Sequence, residues 1–217
     1  MATSTDDAAL IRRFCQLGTA PLVPEVSLYL ARHSLDIWQG IELSVNDDAA
    51  RRPYWAFAWP GGQAKARYLI DNPAEVAGKR VLDIGAGSGI GAIAALRAGA
   101  RSAIANDIDP LALSAIALNA AANGCEVELA GEDLLGGDHR GADVVLLSDV
   151  VYEPELLVRV ARFIETAAAA GASVLYADRS TARLPLPPRA RLASYDAQVF
   201  PVLEATHFEQ GIVWRLA

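Results

Sequence analysis

Thiols are scarce in this chain: Cys15 and Cys125 stand alone among 217 residues, outside any CxxC or Cys/His cluster. Isolated thiols of this kind pack as small apolar residues, so neither a disulfide framework nor a cysteine-bound metal is expected. His33, His139 and His207 are equally scattered, and no metal site is expected from them. Long apolar runs are missing too, since stretches such as Val144 to Leu147 fall well short of a bilayer span. The opening MATSTDDAAL carries acids where a secretory signal carries basic residues, so a soluble cytoplasmic protein without a membrane partner is expected. Basic residues are outnumbered, 19 Lys and Arg against 26 Asp and Glu, for a net charge of −7. That balance disfavours a nucleic-acid backbone as the main partner and suits a basic protein or a small molecule.

What is present is apolar bulk, 53% of the residues, enough for one globular domain with a full core. From Arg80 onward, short β-rich runs alternate with helical patterns, which predicts an α/β fold with a parallel sheet and right-handed crossovers. RVLDIG, SAIAND, EVELA, DVVLLS and SVLYAD read as five successive strands. Between them, Ile90, Ile93, Ala94 and Arg97 recur at helical spacing up to Gly99. Asp109 and Pro110 supply an N-cap and first turn for an apolar stripe at Leu113, Ile116, Ala117 and Ala120. Pro154 opens a third helix whose Leu156, Val160, Phe163, Ile164 and Ala167 share a face. The proline-rich ARLPLPPRA reads as a connector, and LASYDAQVF with GIVWRL as an antiparallel pair closing the sheet. Residues 1–52 are expected to form an N-terminal appendage, with Val26, Leu28 and Leu30 alternating as in a strand and RRFCQL able to start a helix. Residues 53–217 are expected to form the main domain. They open on PYWAFAWPGG, four aromatics followed by a Pro-Gly-Gly expected to stop any regular element.

The segment VLDIGAGSGIG carries the chemistry. Gly85, Gly87 and Gly89 follow an apolar strand and precede a helix, so the backbone can turn tightly and approach a nucleotide-type ligand. Gly87 to Ala92 fit the GxGxxA dinucleotide form only loosely, with Asp107 standing 20 residues beyond Gly87 as a ribose carboxylate. Asp83 decides between the cofactor classes. An acid just before the turn repels a pyrophosphate by several kcal/mol at about 4 Å, whereas it attracts the cationic S-adenosylmethionine. Asp107 and Asp133 end the next two strand regions, where ribose hydroxyls and an adenine amino group would be held, and Asp109 is explained as a helix cap. No Gly-Lys-Ser/Thr of a P-loop is present.

DIGAGSG, the later DID acid and GED together resemble the class I S-adenosylmethionine-dependent methyltransferases. The resemblance implies a Rossmann-like, seven-stranded, mostly parallel sheet with an antiparallel last strand. It also implies that Gly85 and Gly87 approach the methionine part of the cofactor, with Asp83 near its ammonium, Asp107 on the ribose and Asp133 on the adenine. After the fourth strand, SDVVYEPEL places Asp149 and Tyr152 toward the transferred methyl. A carboxylate there can orient an amine and Tyr152 can wall a cation; alternatively Asp149 caps a helix and Tyr152 packs. Asp-Val-Val-Tyr lacks the prolines of the DPPY and NPPY motifs and resembles the DxxY motif of the seven-stranded protein-lysine methyltransferases.

PYWAFAWPGGQAKARYLIDNP and PLVPEVSLYLA further resemble the bacterial relatives of the electron-transfer-flavoprotein beta-subunit lysine methyltransferases, some labelled nicotinamide N-methyltransferase-like. The resemblance implies that Trp59 borders the adenosyl site, Gln63 lies near the methionine part, and Tyr54 and Trp55 line the acceptor entrance, while Phe57 packs inward. Lys65 stands where that group usually has an apolar residue, and YADRS where an Asp-Pro-Gly-Arg-like turn is expected. Three activities follow in order: a protein-lysine methyltransferase with the flavoprotein beta subunit as candidate substrate, a small-molecule N-methyltransferase of the nicotinamide type, and an inactive cofactor-binding module. Calorimetry is expected to show S-adenosylmethionine binding in preference to NAD; preferential NAD binding would overturn the cofactor assignment.

Overall fold

The computed structural model describes residues 5–32, 36–37, 52–151, 154–179, 186–198 and 208–216. Near the N-terminus, helix α1 (Thr5–Phe14) leads into an antiparallel hairpin of β1 (Cys15–Ala20) and β2 (Val23–Ala31). Helix α2 (Pro60–Asp71) follows, and then the alternating units: β3 (Arg80–Ile84), α3 (Ile90–Arg97), β4 (Ser102–Asn106), α4 (Pro110–Ala122), β5 (Glu128–Ala130), β6 (Val144–Ser148), α5 (Pro154–Ala169) and β7 (Ser173–Asp178). Strands β8 (Ala190–Gln198) and β9 (Phe208–Arg215) complete a seven-stranded sheet of order β5-β4-β3-β6-β7-β9-β8. The pairs from β5 through β7 are parallel, while β9 runs antiparallel to both β7 and β8. The expected mostly parallel sheet with an antiparallel last strand is therefore what the chain forms.

Alternation along each strand divides the core between the two faces. Val145 and Leu147 of β6 join Val160, Phe163, Ile164 and Ala167 of α5 on one side. Val144 and Leu146 join Ala64 and Leu69 of α2 with Ala92 and Ala95 of α3 on the other. Among the α5 positions expected to face inward, these four are buried and Leu156 is partly exposed. At the start of α4, the Leu111 N–H donates to the Asp109 carboxylate at 2.9 Å, the expected N-cap.

Two local readings are corrected. Arg12, Arg13 and Phe14 end a helix rather than start one, because the apolar side of α1 begins upstream and Cys15 already pairs with Ala31 in the hairpin. Pro-Gly-Gly likewise starts a helix of 12 residues, since a proline in the first turn gives up an N–H that has no partner there anyway. The hairpin is fastened to the main sheet through α4: the Tyr29 N–H donates to Asn119 Oδ1 at 2.7 Å and the Ser27 N–H to Asn123 Oδ1 at 3.0 Å. The Asn119 amide in turn donates to Ser88 O at 2.8 Å, inside the glycine loop.

Helix α2 is seated tightly on β9. A Cβ on Gly211 would lie 2.5 Å from Pro60 O and 2.6 Å from Ala64 Cβ, neither of which can swing aside. Gly211→Ala is expected to destabilise the protein by about 1–3 kcal/mol, read as a lowered midpoint in chemical denaturation.

Candidate active site

The glycine loop leaves β3 in left-handed backbone, with φ of 60° at Gly85, 54° at Gly87 and 79° at Gly89. Two of these glycines answer to packing as well. A Cβ on Gly85 would stand 2.5 Å from Val150 Cγ1, and one on Gly89 would stand 3.0 Å from Ile116 Cγ2. Gly87 is the open one, its nearest neighbour being Trp55 Cα at 3.8 Å. Asp107, just past β4, accepts from the Gly87 N–H at 2.9 Å and from the Asp109 N–H at 3.0 Å, so it holds the loop from the side. Burial pushes its carboxyl above the ordinary value, against the pull of those two donors.

Asp83, expected near a cofactor ammonium, has its carboxylate engaged within the protein. It is fully buried, with Oδ1 2.5 Å from Lys65 Nζ and Oδ2 accepting from the Ala92 N–H at 3.0 Å. A lysine on α2 already meets its charge, so the repulsion argument against a pyrophosphate loses its source at this residue. Lys65 is itself only 2% exposed, and this pair was not legible as a pair because its partners lie 18 positions apart on different elements.

Asp149 stands where β6 ends, in left-handed backbone with φ of 52°, a region aspartate tolerates better than most residues. Its carboxylate meets the first turn of α2, accepting from the Gly62 N–H at 2.9 Å. Gly61 makes room for it: a Cβ there would lie 2.6 and 2.8 Å from the two carboxylate oxygens. Asp149 thus caps α2, which precedes it in the chain, and its negative charge sits at the positive end of that helix. Its pKa is nevertheless raised to about 7, by burial first and then by the charge of Asp178, with Gly62, Lys65 and Gly61 pulling the other way. Asp178, at the end of β7, is fully buried and accepts from the Tyr176 hydroxyl at 3.1 Å and from the Arg179 N–H at 2.6 Å. Sequence reasoning missed Asp178 and the paired glycines; the first signal available for the latter was a proline at the head of a helix pattern.

The aromatic segment splits. Phe57 is buried as expected. Trp55, expected at the acceptor entrance, is instead core: it is 2% exposed and packs with Ile11, Cys15, Ile37 and Ala112 beneath the hairpin. The apolar side of α1 and the hairpin needs a large cover, and Trp55 fills it. Tyr54 and Trp59 remain partly exposed and meet edge to face at 5.9 Å, while Trp59 Nε1 donates to Tyr54 O at 2.9 Å. Gln63 is 1% exposed, and its Nε2 donates to Ala58 O at 2.7 Å and Gln198 O at 2.9 Å. Those two carbonyls fix the amide orientation, leaving Oε1 as a buried acceptor without a donor among the described residues. Asp133 is exposed and accepts from the Leu135 N–H at 3.1 Å and from Arg159 at 2.6 Å, a hydrogen bond that holds its carboxyl below the usual range. Tyr152 lies outside the described residues. Among the described residues, no group of three His, Cys, Asp or Glu side chains is placed to hold a metal ion, and no helix is long and apolar enough to cross a membrane.

Residues 69–180, just over half of the chain, match the family model described as ribosomal protein L11 methyltransferase (PrmA). The chain is 40% identical over 156 residues to a Xenopus laevis protein named electron transfer flavoprotein beta subunit lysine methyltransferase, covering 71% of this chain and 62% of that one. The human protein of the same name is 42% identical over 141 residues, covering 64% and 52%. The chain therefore spans about half to three fifths of the length of these curated relatives. Among solved structures, a ribosomal protein L11 methylase from Lactobacillus delbrueckii subsp. bulgaricus shares the fold with a TM-score of 0.51 at 24% identity, over 72% of this chain and 79% of that one.

The two neighbouring tryptophans are expected to separate by function. Trp55→Ala should cost about 3–5 kcal/mol of stability in thermal or chemical denaturation, as for a large core side chain. Trp59→Ala should stay folded and lose cofactor affinity in calorimetry; simple unfolding would assign Trp59 to the core as well.

Proposed function

The chain belongs to the ribosomal protein L11 methyltransferase (PrmA) family, and from that membership we propose that it is an S-adenosylmethionine-dependent protein-lysine N-methyltransferase whose first candidate substrate is the beta subunit of electron transfer flavoprotein. The choice of substrate is supported by the 40% and 42% identical relatives named for that activity. The observation that carries the reading is the Asp149 carboxylate. It is held by the start of α2 at the C-terminal edge of the sheet, next to the strand whose glycine loop would take the cofactor.

Three features suit the cofactor. Gly87 leaves its side of the loop open, Asp107 keeps lone pairs beyond the two it gives to backbone, and the unmet Gln63 Oε1 is the kind of acceptor an ammonium satisfies. When bound, S-adenosylmethionine supplies a methyl group on a positively charged sulfur. The protein's own task is then alignment and the supply of an unprotonated amine. Asp149 in its ionised form can accept an N–H from the incoming lysine and turn the nitrogen lone pair toward the methyl, with the released proton passing to water or to this carboxylate. Tyr54, partly exposed beside α2, provides aromatic surface for the acceptor side chain, while Trp59 borders the cofactor.

Radiolabelled methyl transfer into whole-cell extract and into purified flavoprotein beta subunit tests this. Label in the protein band supports the reading; label confined to small molecules favours the nicotinamide-type activity, and no label leaves a cofactor-binding module. Asp149→Ala is expected to lower the rate by about 10²–10⁴-fold. The active form is the carboxylate, and its pKa is raised to about 7, so the wild-type rate falls as pH drops through that value. A bound cation draws this limb downward. The acceptor amine contributes its own fall at higher pH in every variant; Asp149→Asn should abolish the additional limb near 7, and a limb near 7 that persists in this variant would remove Asp149 from the reaction.

A further inference from the structure

Gly61 and Lys65 are four residues apart on α2 and so share one face, about one helical turn apart. The Gly61 end of that face receives the Asp149 carboxylate, 2.6 and 2.8 Å from where a Gly61 Cβ would stand. The Lys65 end receives Asp83 at 2.5 Å. A single turn of helix thus meets both an acid from under the cofactor loop and the acid at the acceptor end. The space for the lysine exists because residue 91 has no side chain: a Cβ on Gly91 would lie 2.6 Å from Lys65 Cε, 2.9 Å from Nζ and 2.5 Å from Asp83 Oδ2.

Resting on the methyl-transfer reading above, we propose that Lys65 is a positioning residue for the reaction: one buried ammonium holds Asp83 beneath the glycine loop and supplies positive charge one helical turn from the Gly61 end that receives Asp149. Asp83 passes the constraint onward, because its second oxygen accepts from the Ala92 N–H and fixes the first turn of α3. Around Asp149 stand Asp178 from β7, the Gly61 and Gly62 N–H groups and Lys65 from α2, and Asp83 of β3 bound to Lys65. Burial and Asp178 favour the protonated carboxyl, while Lys65 and the two N–H groups favour the carboxylate that orients an amine. Without the lysine, the helix end is what remains, among the groups named, to oppose the repulsion from Asp178. A pair that served only the fold would change melting and leave the Asp149 titration where it is.

Carboxyl carbon NMR on the whole chain without ligand follows that titration, with the resonance assigned through Asp149→Asn. It is compared among wild type, Lys65→Met and Lys65→Met/Asp83→Asn. The double variant leaves no unpaired buried charge at this pair and reads the proposal even where Lys65→Met fails to fold. The Asp149 midpoint is expected to rise by about one pH unit in Lys65→Met and by a smaller amount in the double variant, where loss of the Asp83 charge offsets part of the loss of the lysine, and the low-pH limb of methyl transfer is expected to rise with it. An unmoved midpoint in the folded double variant, with only the melting temperature altered, assigns the pair to stability and overturns the proposal. A moved midpoint in a protein that methylates no acceptor overturns the methyl-transfer reading instead, leaving the electrostatic link between Lys65 and Asp149 in place.

Discussion

The buried ion pair between Lys65 and Asp83 is the contact on which the rest of this site is arranged. An unpartnered charge in that position would cost several kcal/mol, and breaking such a pair from one side costs about 3–5 kcal/mol. Three elements must therefore keep their spacing: α2 for the lysine, β3 for the aspartate, and α3 for the Ala92 N–H and the bare Gly91 that leaves room. A binding loop built on that junction inherits its geometry from a charge pair rather than from glycine flexibility. Gly85 and Gly89 show the same restraint, because each is pressed by a neighbouring side chain.

Asp149 illustrates a different balance. The end of a helix welcomes a carboxylate, yet a recess that also contains Asp178 resists a second negative charge. The result is an acid poised near neutrality, a value at which one carboxyl can change protonation state with modest changes in what surrounds it. Left-handed backbone at this residue has the same origin. The chain leaves β6 by a sharp turn so that the side chain reaches back over α2.

Much of the sheet was legible in the sequence because each strand carries a local signal. The continuous run Val144–Leu147 reads as a central strand and Asp109-Pro110 as a helix start, and both form as read. The geometry of the candidate site was legible where it is written locally, as in the left-handed glycine loop, which the run of glycines after a strand announces. It was not legible where function arises from contacts across the fold. Nothing local distinguishes Trp55 from Trp59, and the burial of the first follows from its packing against a hairpin, Cys15–Ala31, that lies 24 to 40 positions earlier in the sequence. Lys65 stood out as an odd residue, but its meaning required Asp83 and the empty place at Gly91. Asp133 read as a ligand for adenine because of its place after a strand, while Arg159 from α5, 26 positions away, already engages it.

Asn119 ties two distant pieces together with a single side chain. Its carbonyl takes the Tyr29 N–H of the hairpin and its amide nitrogen gives a hydrogen to Ser88 in the glycine loop. A buried amide with both ends engaged has no partial state of low energy, so losing one partner weakens the hold on the other. Hairpin, α4 and glycine loop are consequently linked through one side chain, so the N-terminal strands bear on how firmly the loop is held although they form a separate two-stranded sheet.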